Sequence, residues 1–352
     1  MELLSFHNFF MFLRLLESIY AGAVSRRRER CLADAWHAPG DVKVLSVGNL
    51  TMGGTGKTPT VQWLARRLSE QGNVAIVARG YGGSLSEKGA IVSDGKSTFH
   101  SSAEVGDEAL LHARALPGIP VVISKDRVAA VQKTITEFAP QYIILDDAFQ
   151  YWSLARDFNL VLLDASRPFD NGHTLPLGKL RELPQALQRA DAVLLTRCAR
   201  ATAPLLERTR KEVASYCDAP VFLSDHQPVD LRREDDGTAF ALDHLKRQKV
   251  LSVSAIADNA GWKKSLNRFE CDVVKTMARR DHHQWKETEL RSAAQSAKNA
   301  GATMAITTEK DAVKMKAEWC KPLPLFSLRI ELSVENEHGL WREVLTSLNH
   351  TV

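Results

Sequence analysis

The sequence predicts an α/β fold: a parallel sheet covered by helices, followed by a second, smaller α/β domain and preceded by an amphipathic helix. Three observations predict it. Residues 45–58 read as an apolar strand, a glycine-rich turn and the start of a helix. Short runs of Val, Ile and Leu then alternate with helical patterns through most of the chain, as buried parallel strands require. Residues 229–248 interrupt that alternation with polar and charged residues, which reads as a linker or a β-hairpin turning at Glu234-Asp235-Asp236-Gly237.

Bulk properties fit this picture. A chain of 352 residues can bury two cores. Its 44% hydrophobic and 25% charged residues are ordinary for a soluble globular protein. A formal charge of +4 gives no reason to expect a nucleic-acid partner. Cys31, Cys198, Cys217, Cys271 and Cys320 are scattered without metal-ligand spacing, so reduced thiols in a cytoplasmic compartment are expected.

In chain order, residues 3–22 are rich in Leu, Phe and Ile but are interrupted by His7, Asn8, Arg14 and Glu17. That falls short of a spanning helix, and the segment lacks the leading basic region and cleavage site of a secretory signal. Leu4, Met11, Phe12, Leu15, Leu16 and Ile19 share one helical face; His7, Arg14, Glu17 and Ser18 lie opposite, with Phe6 and Phe10 among them. Arg26-Arg27-Arg28-Glu29-Arg30 follows directly, and an apolar face beside a basic cluster suits an anionic bilayer surface. Packing against the protein's own core is the competing reading.

Thr51-Met52-Gly53-Gly54-Thr55-Gly56-Lys57-Thr58 reads as a phosphate-binding P-loop. Glycines let backbone N–H groups crowd phosphate oxygens, and the helix start adds free N–H groups and a positive dipole end. Lys57 reaches β/γ-phosphates and the Thr58 hydroxyl suits Mg²⁺. Thr51 stands where the usual pattern has glycine. The sheet is thereby expected to be P-loop NTPase-like.

Strands are expected at 74–78, 120–123, 142–146, 160–164, 192–196 and 221–223, with helices at 126–138 and 203–216. Arg79-Gly80-Tyr81-Gly82-Gly83 reads as a flexible loop. The second half repeats the alternation: strand 250–253, helix 259–267, a strand near Val273, helix 287–299, strand 303–307 and a return strand in 323–332. Tyr142-Ile-Ile-Leu-Asp146-Asp147 has the form of a Walker B strand, which delivers its carboxylates to the sheet edge beside the P-loop. Asp107, read alone, is a helix cap before 109–115. Asp281-His282-His283 and Arg181-Glu182 are each weak signals alone.

Taken in order, these motifs resemble one family. They are Gly53-Gly-Thr-Gly-Lys-Thr-Pro59, Arg79-Gly-Tyr-Gly82, Val105-Gly-Asp-Glu108, Asp126-Arg127 and Leu145-Asp-Asp-Ala-Phe-Gln150. They continue with Leu154-Ala-Arg-Asp157, Leu175-Pro-Leu-Gly-Lys-Leu-Arg-Glu182, Asp281-His282 and Thr307-Thr-Glu-Lys-Asp311. The resemblance is to the tetraacyldisaccharide 4'-kinases of lipid A synthesis in Gram-negative bacteria. Ala148 stands where that family usually has glycine, Tyr151 where it has histidine, and Ala255-Ile-Ala-Asp-Asn259 replaces a Gly-Ile-Ala-x-Pro-like turn.

The resemblance implies transfer of the γ-phosphate of ATP, with Mg²⁺, to the 4'-hydroxyl of a lipid-linked glucosamine disaccharide. It implies Asp107 as the base, His282 as its partner, and Arg127, Arg181 and Glu182 at the nucleotide and metal end. Lys57 is the catalytic P-loop lysine; Thr58, Asp146, Asp147 and Glu182 are the expected metal group. The expected organisation is a membrane-associating helix at 1–36, a P-loop kinase domain at 37–228, a linker at 229–248 and a smaller α/β domain at 249–352. A hinge at the linker and an open cleft before nucleotide binding follow from placing Asp107 and His282 in different domains. A monomer bound peripherally to the cytoplasmic face of the inner membrane is expected.

Rival readings are a P-loop switch or metallochaperone, a membrane-surface scaffold, and a phosphoesterase built on Asp281-His-His283. The first needs no acceptor base. The second leaves Lys57, Thr58 and the two carboxylates unexplained. The third lacks the clusters of a two-metal site.

Overall fold

The computed structural model describes residues 2–349, with side chains over 11–348. The side chains of Leu4, Phe6, His7, Asn8 and Phe10 therefore lie outside the described residues. Helix α1 (Glu2–Ala33) leads into β1 (Lys43–Asn49), the P-loop and α2 (Lys57–Ser69). There follow β2 (Val74–Ala78), β3 (Ala90–Ser93), α3 (Ser102–Val105), α4 (Asp107–Ala115), β4 (Val121–Ile123), α5 (Arg127–Phe138), β5 (Tyr142–Asp146), β6 (Phe158–Asp164), β7 (Ala192–Thr196) and α6 (Ala203–Ala214). The second half holds β8 (Val221–Arg233), β9 (Ala239–Phe240), β10 (Lys249–Ser254), α7 (Asn259–Asn267), β11 (Asp272–Ala278), α8 (Glu287–Asn299), β12 (Met304–Thr308), α9 (Glu309–Ala312), β13 (Leu325–Val334) and α10 (Glu337–Asn349).

The strands run in the order β11-β10-β12-β13-β8-β7-β6-β1-β5-β2-β4-β3. Strand β1 is central and pairs in parallel with both β5 and β6, with Val47 opposite Asp146. That register sets the P-loop beside the end of β5. Alternate residues of β1 face opposite layers: Leu45 and Val47 join the core under α2 and α4, and Val44 joins the core under α5. Strand β3, which sequence reading missed, closes one edge antiparallel to β4.

The boundary between the halves is a strand. Val221–Leu223 of β8 pairs in parallel with β7, and residues 224–233 of the same strand pair antiparallel with β13. Residues 229–248 thus hold the end of β8, a turn at 234–236 and the return pairing of Leu231 with Phe240. The two halves form one continuous sheet through this ribbon. The C-terminal helix crosses back: Leu340, Val344 and Leu348 of α10 are buried in the core of the first half, and Trp341 meets the Trp63 ring edge-on at 6.5 Å. Arg67 of α2 pairs with Glu337.

Among the described residues no helix is long and apolar enough to cross a membrane. Met11, Phe12, Leu15 and Ile19 of α1 stay exposed, at 55–60%, while Leu16 is half-buried. The opposite side is tied down. Glu17 accepts from Thr174 N at 2.7 Å and lies 3.1 Å from His173 Nδ1. Tyr20 Oη donates to Arg181 O at 3.2 Å. Met11, Phe12, Leu15 and Ile19 are thus not used against the protein's own core.

Candidate active site

The P-loop begins as an extended segment. Thr51 is buried and bridges Leu180, and Met52 N donates to Lys179 O at 2.8 Å. Its backbone is not among the left-handed residues, so a glycine is not required there. At Gly56 one is. Its φ is 91°, and a Cβ would overlap the His226 ring. Thr196 Oγ1 donates to Thr55 O at 2.9 Å, anchoring the loop to the end of β7.

Lys57 Nζ donates to Asn49 Oδ1 at 3.3 Å and lies 3.6 Å from Asp147 Oδ1. Asp147 also accepts from Arg181 Nη1 at 2.8 Å. Burial alone would raise the Asp147 pKa; Lys57 and Arg181 outweigh it and hold the carboxyl below its usual range. Asp146 has a different partner. His112 Nε2, on α4, lies 2.9 Å from Asp146 Oδ2, and both side chains are buried. The other oxygen, Asp146 Oδ1, is buried without a hydrogen-bond partner.

An unpaired buried carboxylate oxygen needs a cation or a donor. The Thr58 hydroxyl, one residue into α2, is like that carboxylate a hard oxygen donor of the kind Mg²⁺ takes. Among the described residues no cluster of three His, Cys, Asp or Glu could hold a metal alone. The Glu108 carboxyl is pushed above its usual range by burial first and then by the Asp146 charge.

Glu182 is placed otherwise than as a free metal ligand. Its two oxygens accept from Arg189 Nη2 at 2.7 and 2.9 Å, and Gln150 Nε2 donates to Oε1 at 3.3 Å. Gln150 Oε1 accepts from Arg181 at 3.4 Å, so Glu182 braces Arg181 through Gln150. Arg127 is buried at the first turn of α5, where Nη1 donates to Ser124 O at 2.9 Å. Burial first, and Arg79 second, push its pKa down to about 10, which leaves it cationic at neutral pH. Tyr151, in place of the family's usual histidine, accepts from Arg127 N and donates to Asp126 Oδ1, both at 3.1 Å. That departure holds the start of α5 in place.

Asp107 is not a cap: Gly106 takes that place, and Asp107 is the first residue of α4, 4% exposed. Gly106 has φ 85°, and a Cβ there would meet Tyr81 O at 2.5 Å. The Arg79–Gly83 loop therefore packs directly on the start of α4. Asp107 Oδ2 lies 3.2 Å from His282 Nδ1. Lys310 Nζ lies 3.4 Å from His282 Nε2 and 3.1 Å from Asp281 Oδ1. His282 thus sits between the Asp107 carboxylate and the Lys310 ammonium. The Tyr81 ring packs edge-on to His282 at 5.6 Å. The structure holds this contact between the halves closed, where an open cleft is expected from the domain reading.

A phosphate loop, a lysine, a buried carboxylate with an unpaired oxygen, and a second carboxylate hydrogen-bonded to histidine define a P-loop phosphotransferase with an acceptor site. The particular family follows from sequence. The chain belongs to the tetraacyldisaccharide-1-P 4'-kinase family, whose sequence model matches residues 9–349. A tetraacyldisaccharide 4'-kinase of Desulfatibacillum aliphaticivorans is 38% identical, over 92% of this chain and 88% of its own length. One from Geobacter sulfurreducens is 40% identical, over 83% and 80%. Among solved structures, LpxK from Aquifex aeolicus in complex with ATP aligns with TM-score 0.77 and 28% identity, covering 96% of this chain and 99% of that one.

His112, Asn49, Gln150, Arg189, Lys310 and Lys314 escaped the sequence reading. Only Gln150 and Lys310 had a signal, each as part of a matched motif without a role.

Proposed function

We propose that this chain uses ATP to phosphorylate the 4'-hydroxyl of a tetraacylated glucosamine disaccharide 1-phosphate, with Asp107 receiving the hydroxyl proton. The acceptor oxygen forms the new bond to the γ-phosphorus, the bond to the β,γ-bridging oxygen breaks, and ADP leaves. The observation that carries the reading is the Asp107–His282 contact at 3.2 Å, on a helix whose other residue, His112, grips Asp146. One rigid helix thereby spans the acceptor base and the phosphate end. A switch or metallochaperone has no use for that base.

Lys57 neutralises the transferring phosphoryl group, and Asp147 with Arg181 keeps that lysine and the loop oriented. Thr58 and Asp146 are the residues that would hold Mg²⁺, which when bound neutralises phosphate charge. Arg127 adds a fixed positive charge; Glu182 acts behind it all through Gln150 and Arg181. Phosphoryl transfer depends chiefly on such positioning and charge.

The membrane role rests on the exposed stripe of α1. Its substrate carries acyl chains, and each methylene buried in lipid is worth about 0.8 kcal/mol, so the enzyme must meet it at the bilayer. Arg26 and Arg30 continue the helical face of Met11, Leu15 and Ile19, and both are exposed. A monomer lying on the cytoplasmic face of the inner membrane fits these features.

The test is transfer of label from ATP to the purified disaccharide lipid by wild type and Asp107→Asn. Loss of about 10²–10⁴-fold in kcat is expected, the usual range for a general base. Wild-type transfer by Asp107→Asn contradicts the base assignment.

A further inference from the structure

Beyond Asp107 and His282, the acceptor site contains a lysine that touches neither nucleotide nor solvent. The Lys314 side chain is 0% exposed. Its Nζ lies 2.9 Å from Asp311 Oδ1 and 3.7 Å from Asp107 Oδ2, ion pairs without a hydrogen bond. A buried ammonium is costly unless anions hold it. Here one anion comes from α4 in the first half and the other from α9 in the second.

Asp311 is immobile. Its Oδ1 also accepts from Trp285 Nε1 at 3.1 Å, and Oδ2 accepts from Ala255 N at 2.8 Å and Thr308 Oγ1 at 2.9 Å. Lys314 is therefore fixed relative to the second half. His282 and Lys314 both approach the same oxygen of Asp107, Oδ2. That leaves Oδ1 for the acceptor hydroxyl.

We propose that Lys314 is a positioning residue for the phosphoryl transfer: from the second half it fixes the Asp107 carboxylate and turns its free oxygen toward the acceptor. This rests on Asp107 being the base. Without the ammonium, Asp107 Oδ2 keeps His282 but loses its cation from the second half, and the carboxylate is free to turn away from the acceptor. That change disables Asp107 without touching the P-loop.

The test is a double-mutant cycle on the full chain. Lys314→Met is combined with Asp311→Asn, so that Asp311 is not left as a buried carboxylate without its cation and Asp107 alone loses the ammonium. This pair is placed in the wild-type and the Asp107→Asn backgrounds. Expected is a loss of about 10²-fold in kcat in the first background and less than about 3-fold in the second, because residues acting as a unit are not additive. Affinity for a non-hydrolysable ATP analogue is expected to change less than about twofold, since the P-loop is untouched. Lys314→Arg, which keeps the charge, is expected to retain more kcat than the Met/Asn pair. An equal loss in both backgrounds, or loss of analogue binding together with activity, overturns the proposal. If Asp107→Asn itself keeps wild-type kcat, the base assignment fails, and the Lys314 proposal with it; that result is distinct from failure of Lys314 alone.

Discussion

At the scale of single residues, the site is a set of charges each held by a specific neighbour. Lys57 is held by Asn49 and Asp147. Lys57→Ala is expected to lower kcat by about 10³-fold or more, as loss of a main electrostatic stabiliser does, with the thermal midpoint changed little. His112→Leu frees Asp146 Oδ2 from its buried partner. Removing such an outer-shell group costs about 10–100-fold in metal affinity. The Mg²⁺ concentration that half-saturates ATP-analogue binding is expected to rise by that factor, and His112→Gln to restore part of it; an unchanged requirement contradicts the assignment. His226, packed against Gly56, has its pKa pushed down to about 4 by burial first and by Arg197 and Arg200 next. The unfolded chain then binds the extra proton between about 6.5 and 4, so stability is full above pH 6.5 and falls as pH drops through that window. His226→Gln is expected to flatten the melting temperature across it. At this scale Lys57, Thr58, Asp146 and Asp147 were legible because a P-loop and an Asp-terminated strand are local patterns. Asp107 with His282 was legible only through family resemblance, and His112 and Lys314 not at all, since nothing local marks a partner 34 residues away in sequence or across two halves.

At the scale of elements, α1 and α4 matter most. Helix α1 is bound to the loop of Arg181 through Glu17, Thr174 and Tyr20, while Met11, Phe12, Leu15 and Ile19 face outward. Replacing these four with Ser is expected to abolish sedimentation with anionic vesicles and to lower activity on the lipid acceptor, leaving ATP-analogue affinity intact. Vesicle binding equal to wild type contradicts the membrane role. The periodicity of α1 was readable, but which side met the protein was not, because the polar side supplied the anchors. The 3.6-residue period likewise placed α4, yet Gly106 and not Asp107 ends up as its cap: the Tyr81 carbonyl packs where a Cβ would stand.

At the scale of the whole molecule, the two halves are joined by a strand and not by a loop. Sequence alternation revealed the strands of both halves, and the segment 229–248, read from its polarity as a linker or a β-hairpin, holds a two-stranded ribbon that is polar for an ordinary reason: one face of an antiparallel pair meets solvent. Helix α10 closes the chain back on the first half, which no local pattern announces. Leu340→Ala, fully buried there, is expected to cost about 2–5 kcal/mol, read as a lower urea midpoint at unchanged slope. The function joins these scales: the P-loop and Asp146 on one half, His282 and Lys314 on the other, and Asp107 between them. The most direct measurement follows labelled phosphate from ATP onto purified tetraacyl disaccharide 1-phosphate. Wild type is expected to label the lipid at its 4'-position, with Asp107→Asn and Lys57→Ala both failing to do so while the folded protein persists. Label released only as inorganic phosphate by the wild-type enzyme, with none on the lipid, would contradict the account.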